Sequence, residues 1–215
     1  DKPTISFHVD AVQALAKIPT EKYLTDRVDF ATFSSHKFHG VRGVGFVYIK
    51  SGKRIMPLLT GGGQERDYRS TTENVAGIAA TAKALRLSME KLDIFASKTG
   101  QMKAVIRQAL LDYPDIFVFS DEEDFAPHIL TFGIKGVRGE VIVHAFEDYD
   151  IFISTTSACS SKAGKPAGTL IAMGVDKDKA QSAVRLSLDL ENDMSQVEQF
   201  LTKLKLIYNQ TRKVR

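Results

Sequence analysis

Four consecutive residues, Ser34, Ser35, His36 and Lys37, close the β-rich run "VDFATFS" with two hydroxyls, an imidazole and an amine. A lysine is normally solvated. One held at a strand end can instead condense with the carbonyl of a cofactor to form an imine, and Lys37 is the only amine in the group. The plainer reading is a solvated lysine on a loop between two strands. Ser34 and His36 are donors of the kind that phosphate oxygens take. His36 and His39 form a His-x-x-His pair. With one distant cysteine that is poor zinc spacing, and no metal is expected.

Four other places carry side chains that could do chemistry. Asp10 and Gln13 follow a short β-rich segment in "HVDAVQA". Loops at the C-terminal ends of α/β strands collect ligands, and a carboxylate there can hold a protonated ring nitrogen while the glutamine donates to a ring oxygen. Otherwise Asp10 caps the following segment and Gln13 is merely exposed. "GGGQERDYRSTTEN" (61–74) joins three glycines, two arginines and two threonines at an expected helix start, a phosphate-binding combination, or an ordinary exposed loop. Its glycine spacing matches neither a P-loop nor a dinucleotide fingerprint. Cys159 lies in "STTSACSSKAGKPAG" (154–168) among small polar residues with Lys162 and Lys165 nearby. Such surroundings favour a nucleophilic thiolate over a structural cysteine. Arg185 sits inside the strand-like "AVRLSL" and needs an anion, either a substrate carboxylate or an internal acid.

The elements that position these residues read as α/β. Strands are expected at 4–9, 28–34 and 44–50, with a helical or turn-like stretch between the first two. The segment 58–74 is polar and glycine-rich and marks the boundary. A helix follows, with Val75, Ile78, Ala79, Ala82, Leu85, Met89 and Leu92 on one face and Thr72 as its cap. After a second helical stretch, "MKAVIRQALLDY", an α+β pattern begins. Its strands are expected at 116–120, 128–134, 151–155 and 183–188, with a helix around "GEVIVHAFEDY". A final helix has Met194, Val197, Phe200, Leu201, Leu204 and Tyr208 on one stripe. Composition sets the outer limits. The chain has 215 residues, is 43% apolar and 26% charged, carries a net charge of +3 and has one cysteine. That is an ordinary globular chain able to bury a core. It has no apolar run long enough for a membrane span, no basic cluster expected to take nucleic acid and no internal disulfide. A cytoplasmic setting is expected.

The order of motifs is informative in a way that no single one is. Asp-x-x-Gln, Ser-x-His-Lys, Gly-Gly-Gly-Gln-Glu…Arg-Ser-x-Thr-Glu-Asn, Ser-Ala-Cys and a late strand arginine resemble the NifS/IscS-like cysteine desulfurases. These belong to the class V aminotransferase group of pyridoxal-phosphate enzymes. The resemblance runs from about residue 4 to the C-terminus. It implies that residues 1–74 are the C-terminal portion of a cofactor-binding large domain with a mostly parallel sheet, and that 75–215 are a connecting helix and a small α+β domain. It also implies a pyridoxal 5'-phosphate cofactor with its Schiff base on Lys37. Asp10 would pair with the pyridine nitrogen, Gln13 with the phenolic oxygen, and Ser34 and His36 with the phosphate. Thr72 would reach the phosphate of the other subunit in a homodimer. Cys159 would take sulfur from L-cysteine as a persulfide and pass it to a protein acceptor, for iron–sulfur cluster assembly or tRNA thiolation. Arg185 would hold the substrate carboxylate.

The sequence departs from that pattern in places. Thr71 stands where the family has glycine, and "GVRG" replaces a Pro-Lys-Gly turn. The segment with a second phosphate loop and a ring-stacking histidine does not occur, so the chain reads as truncated and inactive alone. The alternatives are a selenocysteine lyase or aminotransferase of the same group, or a non-catalytic fragment that relays sulfur or binds partners.

Overall fold

The structure is a computed structural model that describes residues 5–120, 125–155 and 168–213. The chain forms two compact units, residues 1–93 and 94–215. The expected boundary after residue 74 would have assigned the first long helix to the second part. Its hydroxyl contacts, described below, tie it to the first.

The first unit is a three-stranded sheet in the order β1 (His8–Asp10), β2 (Phe30–Ser34), β3 (Gly45–Ile49). β1 and β2 run parallel, with Val9 opposite Ala31 and Asp10 opposite Thr32. A parallel pair needs a crossover rather than a hairpin, and residues 11–29 provide it through turns and a 3-10 helix at Thr20–Lys22. β3 returns antiparallel, with Phe33 opposite Phe46 and Ser34 opposite Gly45. The core is small: Ala11, Leu15, Ala16, Tyr23, Val28, Ala31, Phe33 and Phe38. Below it, Asp29 is buried and its Oδ2 accepts from the Phe7 N–H at 2.9 Å and from Arg27 at 3.2 Å. Its Oδ1 faces Lys53 at 3.1 Å. The Phe7 N–H, followed by the Lys53 and Arg27 charges, holds this carboxyl below the usual carboxylate range.

Helix α1 (Val75–Met89) completes this unit. Asn74 is its N-cap, its side chain accepting from the Gly77 N–H at 2.9 Å. Thr72, expected in that role, lies two residues too early and is exposed. The expected apolar face is also corrected: Val75, Ile78 and Met89 are exposed, while Gly77 and Thr81 are the buried residues of the helix. Periodicity finds an apolar face but does not say which face is covered.

In the second unit, α2 (Leu92–Leu111) leads into a four-stranded antiparallel sheet. Its strands are β4 (Ile116–Val118), β5 (Ile129–Ile134), β6 (Ser154–Thr155) and β7 (Val184–Ser187), in the spatial order β4-β5-β7-β6. Alternation along β5 sends Leu130, Phe132 and Ile134 to one face. There they join Met102, Ile106 and Leu110 of α2, Ile142 and Phe146 of α3 (Gly139–Glu147), and residues of α6 (Met194–Lys213) in one core. The α6 contribution is Val197, Phe200, Leu204, Ile207 and Tyr208 at three- and four-residue spacings. Phe200 stacks on Phe146 at 4.9 Å and meets Phe132 edge-on at 6.2 Å. Met194, expected on this stripe, is exposed. Two short helices, α4 (Gly168–Ala172) and α5 (Lys177–Gln181), precede β7. No helix among the described residues is long and apolar enough to cross a membrane.

Candidate active site

Two parallel strands ending side by side put their following loops on one edge of the sheet. Asp10 is the last residue of β1 and lies opposite Thr32 of β2, two residues before that strand ends at Ser34. The Asp10 carboxylate accepts from the Val12 N–H at 3.1 Å, which fixes one oxygen in an Asx-type turn. The capping reading is therefore realised in part, and one lone-pair-rich oxygen remains. Gln13 is exposed in the turn that follows.

After β2 the chain folds at once into a 3-10 helix, Ser35–Phe38, with Ser34 at its N-cap position. The turn closes at His39, in left-handed backbone at φ 64°, and Gly40 N–H bonds back to the Ser35 carbonyl at 3.0 Å. A Cβ at Gly40 would overlap the Ser35 hydroxyl, so the close approach requires glycine. Phe38 plugs the core at 1% exposure, Lys37 is half-buried and His36 is exposed. Among the described residues, the Lys37 amine, the His36 ring and the Ser34 hydroxyl have no hydrogen-bond or ion-pair partner. Three donors thus stand uncommitted beside a carboxylate at the end of a parallel strand pair. The other notable lysine, Lys103, is the more buried of the two. Burial, with the Arg107 charge, lowers its pKa. It donates to the Ala126 carbonyl at 3.0 Å in the second unit and is committed there.

Thr72 lies on the exposed loop before α1. That loop passes through left-handed backbone at Glu65, Arg66 and Asp67, and the Gly63 N–H reaches Ser70 Oγ at 3.3 Å. Arg69, though exposed, is engaged by Thr71 and Glu65 of the same loop, so it is not a free phosphate donor. Arg185 belongs to the second unit. It lies mid-β7, opposite Thr131 of β5 and Ser154 of β6, on the face away from the core. Its Nε is buried without a hydrogen-bond partner among the described residues. Cys159, with Lys162 and Lys165, lies outside the described residues.

Reading the sequence alone missed the hydroxyls that support the Lys37 turn, Ser35, Thr81 and Ser88. Ser35 was in view within "SSHK", yet nothing in its type distinguishes a buried hydroxyl from a ligand donor. His8 was also missed; its Nε2 lies 3.2 Å from Thr32 Oγ1, on the residue facing Asp10.

A family model described as aminotransferase class-V matches residues 2–200, most of the chain. The chain belongs to the class-V aminotransferase family. A NifS/IcsS protein homolog from Lactobacillus delbrueckii subsp. bulgaricus is 49% identical over 215 residues, 100% of this chain and 56% of that protein. Cysteine desulfurase IscS from Clostridium botulinum is 35% identical over 214 residues, 98% of this chain and 53% of that one. Among solved structures, a NifS-like protein has a TM-score of 0.82 at 36% identity, covering 95% of this chain and 52% of its own. A NifS-like protein from Rickettsia africae has the same TM-score at 29% identity, covering 95% and 54%. The chain spans about half the length of the relatives it matches.

Membership of the class-V aminotransferases implies pyridoxal phosphate, and the donor set at the β1–β2 edge suits such a group. It offers an amine for the carbonyl, a carboxylate for a protonated ring nitrogen, and hydroxyl and imidazole donors for a phosphate.

Proposed function

We propose that this chain is part of a cysteine desulfurase. The observation that supports this best is the placement of Asp10 and of the Lys37 turn on the same edge of the parallel strand pair β1–β2, with the lysine amine uncommitted. In this reading Lys37 anchors pyridoxal phosphate, and Asp10 holds the proton of its ring nitrogen. Gln13 donates to the ring oxygen, and Ser34 and His36 bind the phosphate. Thr72 contributes to the phosphate site of a second subunit. Bound there, the cofactor supplies the electron sink that loss of the substrate Cα proton requires.

The chain's own residues supply the rest. The Arg185 guanidinium, with its Nε desolvated and unpaired, binds the carboxylate of L-cysteine. The Lys37 Nζ carries the proton to and from the substrate carbon. The Cys159 thiolate attacks the substrate sulfur, the sulfur–Cβ bond breaks, and the carbon takes up a proton. L-Cysteine and one enzyme thiol thus give L-alanine and one enzyme persulfide, with every atom accounted for. The Cys159 persulfide then passes its outer sulfur to an acceptor protein. A cytoplasmic homodimer is the form proposed.

The test uses the full chain encoded by the gene. Incubation with pyridoxal phosphate followed by borohydride should trap the cofactor on Lys37, found by peptide mapping, and Lys37→Ala should abolish the yellow absorbance. Cys159→Ser should keep that absorbance but lose persulfide formation and sulfide release. A cofactor spectrum unchanged in Lys37→Ala, or full desulfurase turnover in Cys159→Ser, would show the assignment to be wrong.

A further inference from the structure

The turn that carries Lys37 is only four residues long, and hydroxyl groups tie both of its ends to α1. At its start, Ser35 is 0% exposed and its hydroxyl lies 2.9 Å from Oγ1 of Thr81, which is buried as well. At its end, Ser88 Oγ donates to the Phe38 carbonyl at 3.1 Å. Thr81 and Ser88 are about two helical turns apart, so both lie on the face of α1 that meets the turn. Thr81 is itself fixed, donating to the Gly77 carbonyl at 2.7 Å. With that proton committed, the Ser35 hydroxyl is left to donate to Thr81 Oγ1. Close approach also depends on Gly77, where a Cβ would come within 2.8 Å of Val44 Cγ2. The exposed apolar residues Val75 and Ile78 take no part in this contact.

This arrangement differs from ordinary core packing. Apolar contact is non-directional, whereas two hydroxyl bonds on opposite ends of one turn fix its rotation as well as its depth. Lys37 lies between them, one residue from Phe38 and two from Ser35. We infer that Thr81 and Ser88 are positioning residues for Lys37: they set the direction in which the amine leaves the strand end. The inference rests on the proposed role of Lys37 as the cofactor anchor.

The test measures the initial rate at which pyridoxal phosphate, trapped with borohydride, labels Lys37 in the full chain, with exposed Lys22 as the internal reference. Thr81→Val removes the hydroxyl at similar volume and leaves Ser35 buried and unpaired, so it should lower both the melting temperature and the Lys37 rate. The rate should fall at least tenfold, with Lys22 unchanged. Thr81→Ser should restore both. The deciding variant is Ser35→Ala combined with Thr81→Val. It removes both hydroxyls, so no buried donor is orphaned and the melting temperature recovers. The tie remains absent, so Lys37 labelling should stay at least tenfold slow. Ser88→Ala should slow it several-fold. If the double variant labels at the wild-type rate, or if labelling tracks melting temperature across the series, the inference is overturned. If wild-type Lys37 labels no faster than Lys22, the anchor role fails first, and the inference with it.

Discussion

Arg185→Leu should make the second unit more stable while removing the carboxylate binding proposed for it. The guanidinium Nε is buried on a strand interior, and no acid or carbonyl among the described residues meets it. A buried donor left unmade costs about 1–3 kcal/mol, whereas an apolar replacement of compatible shape can be neutral or stabilising. Allowing for some lost packing from the arginine stem, the gain should be about 1–2 kcal/mol. With a urea m-value of roughly 2 kcal/mol/M for a unit of this size, the unfolding midpoint should rise by about 0.5–1 M. The chain has no tryptophan, so tyrosine fluorescence reports the transition, helped by Tyr113 and Tyr208, whose rings meet edge-on at 4.6 Å. Saturating L-alanine should stabilise the wild type, by about 2.7 kcal/mol at a hundred times its dissociation constant, and leave the variant unmoved. A midpoint that falls in Arg185→Leu at unchanged m-value would refute the reasoning. It would mean that the arginine serves an internal ion pair, the other reading its sequence position allowed.

Two further predictions concern the supports of each unit. Phe200→Ala removes both the stack on Phe146 and the edge contact with Phe132, and should destabilise the second unit by about 3–5 kcal/mol in the same urea assay. A loss under about 1 kcal/mol would mean that the core collapses around the gap. Asp29→Asn should destabilise the first unit at neutral pH. Because the folded pKa lies below the unfolded value, the stabilisation is fully present above about pH 4 and is lost as pH falls through the folded value. Melting temperatures of wild type and variant should therefore converge as pH falls below about 4; a gap that stays constant as the pH falls would contradict it.

What was legible in the sequence was mostly what repeats. β-Rich runs located β5 and β7, and three- and four-residue spacing located α6, because each of these elements has one face in the large core of the second unit. That Asp10, Ser34 and Lys37 fall at the ends of neighbouring strands was legible because each closes or directly follows a β-rich run. Three features were not. The most buried residues of α1 are Gly77 and Thr81, which give no apolar signal, and of the expected apolar face Leu85 packs against the core while Val75, Ile78 and Met89 stay exposed. Its cap is Asn74 rather than Thr72, since capping depends on which residue adopts the non-helical backbone, and "STTEN" offers several candidates. The helices α4 and α5 are too short for periodicity to register.

β3 carries a consequence for anyone handling this polypeptide in isolation. Phe46, Val47 and Tyr48 form an apolar run exposed on both faces of the strand, which pairs only with β2 among the described residues. Such an edge is a template for pairing with another chain. Charged flanks often act as gatekeepers against this, but Lys50 is turned onto the Asp26 carbonyl and Lys53 onto Asp29. Self-association should therefore grow with protein concentration and persist in high salt, because hydrogen-bonded strand pairing is not screened as surface charge is. A lysine placed at Val47 would serve as the missing gatekeeper and keep the polypeptide dispersed.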